Sequence, residues 1–211
     1  FKVAHCQAVT SGTAATKVAL KAVGVKPGDE VITQAFNFIA TVEAILDCGA
    51  IPIIANVDRS LNMNPAELDS LVSPKTAAIV PVHMLGVPVD MDPVLDFARN
   101  KGLPIVEDNC ESVGACYGGE FLGTLGEAGV FSFDQGKIIA TGEGGMVLTN
   151  DSEIFKYANE YQDHGHENNP AFPRGLDTCS TPGFNYRMTE MQAAVEKVQL
   201  SKLDKMLEAN R

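Results

Sequence analysis

Short apolar runs of four to seven residues alternate with stretches of helical periodicity along most of this chain, and no other feature narrows its fold as much. The runs, residues 3–9, 30–33, 51–57, 77–82, 103–107, 129–133 and 145–148, are seven candidate strands. Between them, residues 13–23, 38–48, 65–71 and 92–100 each carry helical periodicity over two to three turns. Strands that alternate with helices pair through crossovers, and each helix then covers one face of the sheet. The expectation is an α/β fold with a mainly parallel seven-stranded sheet and helices on both faces.

Seven strands in 211 residues leave little room for a second full domain, and no internal repeat, low-complexity segment or charge run marks a boundary. Residues 1–211 are therefore read as one domain. Phe1 leads almost directly into a strand, and the helical pattern of residues 188–211 stops without a cap, so the expectation is a piece of a longer chain. The stretch 163–182, DHGHENNPAFPRGLDTCSTP, is rich in Pro, Asn and Gly and reads as a long loop, either a binding loop or a mobile one.

Charge and composition exclude several classes. A net charge of −11 and the lack of any basic stripe argue against nucleic acid, while 45% hydrophobic and 20% charged residues fit a globular domain. No apolar run reaches membrane-spanning length and no signal-peptide layout opens the chain, so no membrane partner is expected and the location is read as cytoplasmic. The five cysteines are odd in number and lack C-x-x-C pairing, which favours neither a disulfide framework nor a zinc site.

In open α/β sheets ligands bind beyond the carboxyl ends of the strands, so the residues just after each run matter most for function. After the first run, Ser11, Gly12 and Thr13 stand where a helix begins. They can cap it, or its free N–H groups can hold an anion such as a phosphate. Asp108, after the fifth run, is costly to bury unless it meets a cation or several donors; a protonated heteroaromatic nitrogen would be such a cation, and a turn cap is the simpler role. After the sixth run comes FSFDQGKIIATGEGGM. Its Lys137 is either a solvated loop residue or an amine able to form a Schiff base with an aldehyde, and its glycines let backbone pass close to a bound group. An anion cradle, an acid for a pyridinium proton and a lysine for an aldehyde are together the requirements of pyridoxal 5'-phosphate (PLP).

Six strings, SGTAA at Ser11, NFIAT at Asn37, PVHMLGVPVDMD at Pro81, VEDNCESVGA at Val106, FSFDQGKIIATGEGGMVLTND at Phe131 and GFNYRMTEMQAAV at Gly183, resemble in order the DegT/StrS sugar aminotransferases. These are PLP enzymes of the aspartate aminotransferase fold type. The resemblance runs from Phe1 to Arg211 and implies the PLP-binding large domain, without the family's N-terminal segment and small C-terminal domain. It implies that Lys137 is the Schiff-base lysine and proton shuttle and that Asp108 holds the pyridine nitrogen. Thr13, Ala14 and Ser132, beside Ser11 and Gly12, then fall at phosphate-binding positions, and Phe38 stacks on the cofactor. Asn185, otherwise a turn residue, would reach the phosphate of a neighbouring subunit, implying a homodimer with shared sites. Glu111 stands where many relatives have Gln, and as an acceptor it would meet the ring hydroxyl only with a different proton arrangement.

The implied reaction is transfer of an amino group, with glutamate as donor, to a keto sugar that is most often nucleotide-linked, in polysaccharide biosynthesis. The alternatives are a free keto sugar acid or keto-cyclitol as acceptor, PLP-dependent sugar dehydration, and an inactive PLP-binding homologue. The family's 3-dehydratase branch has His in place of the lysine, so Lys137 favours transamination. His83, His164 and His166 are read as structural or solvated residues, with ligand contact as the other possibility.

Overall fold

The structure is a computed structural model and describes residues 1–171, 173 and 175–209. Its strands are β1 (His5–Val9), β2 (Glu30–Gln34), β3 (Ile51–Ala55), β4 (Thr76–Ile79), β5 (Val106–Asp108), β6 (Cys116–Tyr117), β7 (Glu120–Phe121), β8 (Ala128–Ser132) and β9 (Gly145–Thr149). The helices are α1 (Gly12–Ala22), α2 (Ala40–Asp47), α3 (Leu68–Leu71), α4 (Met91–Lys101), α5 (Ser152–Tyr161), α6 (Glu190–Leu200) and α7 (Leu203–Ala209).

Two ladders, β1-β9-β8-β5 and β3-β2-β4, meet edge to edge through parallel bridges of Ile79 to Ile105 and Val82 to Asp108. The seven expected runs therefore line up in one sheet, but its direction differs from expectation. Pairs β2–β3, β2–β4 and β5–β8 are parallel, whereas β9 is antiparallel to both neighbours, β1 and β8. The sheet is mixed rather than mainly parallel. The cause is local: β8 reaches β9 through the loop 133–144, a hairpin connection with no helix to carry the chain back across the sheet. That loop carries Lys137.

Alternation along the strands separates two layers of core. Val31, Ala78, Val80, Val106, Val130 and Val147 pack with α1, α2 and α5 on one face. Their neighbours Ile32, Ile79 and Ile105 pack with Leu68 of α3 and Met91, Val94 and Ala98 of α4 on the other, where Phe131 and Leu148 form an adjoining cluster. Helices thus cover both faces. Helix α1 is central because its packing residues are small: Ala14, Ala15 and Ala19 let it approach β8 and β9 closely, and most of the helix is buried.

The observed helices begin and end close to the periodic stretches, with two refinements and one omission. The stretch 65–71 is a 3₁₀ turn, Pro65–Glu67, that leads into the short α3, and the C-terminal pattern splits into α6 and α7. Helix α6 starts with a reciprocal cap between Thr189 and Gln192. Helix α5, capped by Asp151, is the omission. In the long loop, the described residues form neither helix nor strand beyond one bridge of Asp163 to Asn185, and His166 Nδ1 lies 2.7 Å from Asp177. Phe172 and Arg174 of that loop lie outside the described residues.

Candidate active site

A cavity of about 260 Å³ opens at the carboxyl ends of the parallel strands. Each of its walls has a local cause. Helix α1 points its N-terminus into the cavity; Ser11 caps it by accepting from the Ala14 N–H at 3.1 Å, which leaves the hydroxyl proton free to donate. Capping and anion binding are therefore compatible at this residue. Two glycines permit the close approach this needs. A Cβ on Gly12 would come within 2.6 Å of the Ser132 Cβ, and one on Gly145 within 2.3 Å of the Ser11 carbonyl oxygen. Ser132 at the end of β8 is thereby held against the first turn of α1.

Asp108 closes the floor at 4% exposure. Its Oδ2 accepts from the Thr41 hydroxyl at 2.7 Å and its Oδ1 from the Cys110 N–H at 3.0 Å, and the Cys110 thiol also bonds this carboxylate; together they orient it and leave acceptor capacity toward the cavity. Cys110 lines the same floor. Burial first, then the Asp108 carboxylate, push its thiol well above the usual range, so it stays protonated and is not a nucleophile.

Lys137 enters from the loop between β8 and β9. Asp134 starts a tight turn there, its Oδ1 accepting from the Gly136 N–H at 2.6 Å and its carbonyl from the Lys137 N–H at 3.1 Å. Two residues later Ile139 is fully buried and anchors the loop in the core. The Lys137 Nζ lies 3.7 Å from Glu111 Oε1 and 5.9 Å from the centre of the Phe38 ring. Phe38 is 63% exposed and stands at the mouth, an unusual position for a core phenylalanine and a suitable one for a stacking platform.

Of the residues singled out in the sequence, the structure brings Ser11, Gly12, Thr13, Phe38, Asp108, Glu111, Ser132 and Lys137 around this one cavity. Ala14 is buried just behind, where its N–H meets Ser11, and Asn185 is exposed on another segment. Sequence reasoning missed Thr41, Met84, Cys110, Asp134 and Glu143, which also line the cavity. Only Asp134 left a local signal, the D-x-G turn before the lysine. His83 is a structural residue: fully buried, its Nδ1 accepts from the Val89 N–H at 3.0 Å, so Nε2 carries the proton and faces Glu107 at 3.3 Å.

This donor set fits PLP. A buried, oriented carboxylate, a helix N-terminus packed against a serine, and an amine facing the same space are complementary to a protonated ring nitrogen, a phosphate and an aldehyde.

The DegT/DnrJ/EryC1/StrS aminotransferase family matches residues 1–211. The GDP-perosamine synthase of Caulobacter vibrioides is 42% identical over 208 residues, which cover 98% of this chain and 55% of that protein. An aminotransferase structure from Psychrobacter cryohalolentis superposes with a TM-score of 0.90 at 36% identity, over 96% of this chain and 53% of its own. A GDP-4-keto-6-deoxy-D-mannose-3-dehydratase of E. coli with bound hydrated PLP superposes with a TM-score of 0.87 at 29% identity, over 97% and 57%. The chain spans about half the length of the relatives it matches.

Proposed function

The chain belongs to the DegT/DnrJ/EryC1/StrS aminotransferase family, and from that premise we propose that the full-length protein is a PLP-dependent aminotransferase that aminates a nucleotide-linked keto sugar, with glutamate as donor. The observation that carries this reading is the convergence of the Lys137 amine and the Asp108 carboxylate on one cavity that the N-terminus of α1 also faces. The GDP-linked product in the name of the Caulobacter relative supports the substrate class.

When bound, PLP supplies an aldehyde and an electron-withdrawing ring that stabilises negative charge at the amino-bearing carbon. The protein supplies the rest. Asp108, oriented by Thr41 and the Cys110 N–H, is the anion that keeps the ring nitrogen protonated. Ser11, Gly12, Thr13 and Ser132 hold the phosphate at the positive end of α1. Lys137 would be the covalent anchor, and its Nζ, when free, would carry the proton to and from the substrate carbon. Glu111, 3.7 Å away, is positioned to share this proton. Phe38 covers the mouth, and Asn185 completes the phosphate site of a second copy in a homodimer.

The likeness to a dehydratase raises sugar dehydration as a second reading. Lys137 speaks against it, since the resemblance implies a histidine at the lysine position in the dehydratase branch. The test is borohydride reduction of the full-length protein with PLP, then peptide mapping. An adduct on Lys137, with amination of a GDP- or UDP-linked keto sugar by glutamate, is expected; adduct formation without amination would leave dehydration or an inactive homologue.

A further inference from the structure

Lys17 is the one buried lysine among the described residues. It is 7% exposed, on the buried side of α1, one helical turn beyond the Ser11–Thr13 cradle. Lysine is rarely this buried without partners, and here the partners come from two other segments. Its Nζ pairs with Asp47 at the end of α2 and donates to the Tyr186 hydroxyl at 3.0 Å. The same ammonium sits 4.7 Å from the centre of the Phe184 ring and 5.5 Å from that of Tyr186. Burial alone would lower its pKa, but the bonds from Asp47 and Tyr186 outweigh burial and raise it, so the charge is permanent.

Both aromatic partners flank Asn185. Backbone bonds set this segment along α5 and β1: the Phe184 N–H donates to the Tyr161 carbonyl, the Tyr186 N–H to Gln162 and the Thr10 N–H to the Tyr186 carbonyl, each at 2.9 Å. With the Asp163–Asn185 bridge they hold the segment extended, so Phe184 and Tyr186 leave on one side and Asn185 on the other. The rings of Phe184 and Tyr186 pack on each other and on Tyr161 and lie against the Lys17 ammonium, while the intervening Asn185 is exposed. A small cleft lined by Thr10, Ser11, Thr13, Lys17, Asp47 and Tyr186 runs from this clamp to the phosphate cradle.

We propose that Lys17 is a positioning residue for phosphate binding: its ammonium clamps Phe184 and Tyr186 to α1 and so aims Asn185 at the phosphate site of the second copy. This rests on the proposed function. It adds that one buried cation couples the cradle of each subunit to the residue it lends.

The test compares PLP with pyridoxal, which lacks only the phosphate, by equilibrium binding to the full-length protein. In Lys17→Met the stem still fills its space and the exposed Asp47 carboxylate returns to water. We expect it to weaken PLP about tenfold, on the order of one charge-assisted hydrogen bond, and to leave pyridoxal unchanged. Adding Asn185→Ala to Lys17→Met should then cost nothing beyond Asn185→Ala alone. Equal weakening of both ligands, no weakening, or additive losses in the double variant would overturn the clamp. Tyr186→Phe, which removes one hydroxyl, gives the same comparison if Lys17→Met does not fold. A wild-type protein that binds PLP no better than pyridoxal would instead remove the PLP reading itself.

Discussion

Strand β5 ends in two acids, Glu107 and Asp108, whose side chains leave opposite faces of the sheet, and the two faces treat the same charge differently. On one face Glu107 is fully buried and accepts from the N–H groups of Gly123, Leu125 and Gly126 at 2.9, 2.7 and 2.8 Å, with His83 Nε2 at 3.3 Å. A carboxylate offers about four acceptor sites, and all are engaged. On the other face Asp108 meets three donors, the Thr41 hydroxyl and the N–H and thiol of Cys110, one short of saturation, and opens on the cavity. A saturated acid organises its own protein, whereas a partly satisfied one has capacity for a ligand. Donor count, more than burial, separates the structural acid from the functional one.

The largest effect that would sharpen this contrast is on the functional side. Replacing Asp108 with Asn keeps the shape but removes the anion, and Lys137→Ala removes the anchor. Each should lower transamination by the full-length protein at least about 10³-fold. Lys137→Ala should leave the melting temperature nearly unchanged, because among the described residues its ammonium meets just Glu111 and the exposed Phe38 ring. Steady-state turnover beside a thermal melt reads both quantities, and substantial turnover in either variant would break the assignment.

Next comes the structural acid. Glu107→Ala orphans three backbone donors and the His83 proton, at a cost of about 3 kcal/mol or more. Urea unfolding should show this loss. Cofactor affinity in the variant that remains folded should fall far less than in Asp108→Asn; a fall as large as that would mean the two faces are not independent.

A third acid tests the donor rule where donors are absent. Glu196 on α6 is 4% exposed, and neither carboxylate oxygen has a hydrogen-bond partner among the described residues. Burial raises its pKa from 4.5 to about 7. The folded chain therefore holds this proton more tightly than the unfolded one, so stability is lost as pH rises from about 4.5 through about 7 and changes little from this source above that. The full span is worth up to about 3 kcal/mol. Glu196→Gln should be more stable than the wild type at pH 8 and nearly equal to it at pH 4.5, by urea unfolding at both values. A constant difference would show that the carboxylate is solvated.

The sequence disclosed these acids unequally, for physical reasons. Asp108 was legible because it ends an apolar run, where an unpaired charge is expensive, and Lys137 because a glycine-rich loop follows it. Burial of a short strand on both faces leaves the alternation within VED invisible, so Glu107 could not be told from a strand-end surface acid. The reversed direction of β9 was hidden for a related reason: an apolar run has no polarity of its own, and only the absence of a helix within 133–144 distinguishes a hairpin connection from a crossover. Thr41 lies 67 residues from Asp108 and meets it only through the packing of α2, which no local pattern records.

That long-range contact gives the smallest and most discriminating prediction. Thr41→Val preserves β-branching and volume within α2 while removing the donor to Asp108 Oδ2. If Thr41 merely satisfies a buried acid, the variant loses about 1 kcal/mol of stability and binds PLP as before. If Thr41 orients the carboxylate toward the ring nitrogen, affinity for PLP falls about fivefold to tenfold, and the fall disappears in an Asp108→Asn background because the bond has nothing left to aim. The arrangement favours the second outcome, since the carboxylate that Thr41 holds faces the cavity. A double-mutant cycle on cofactor binding separates the two, and additive losses would reduce Thr41 to a packing residue.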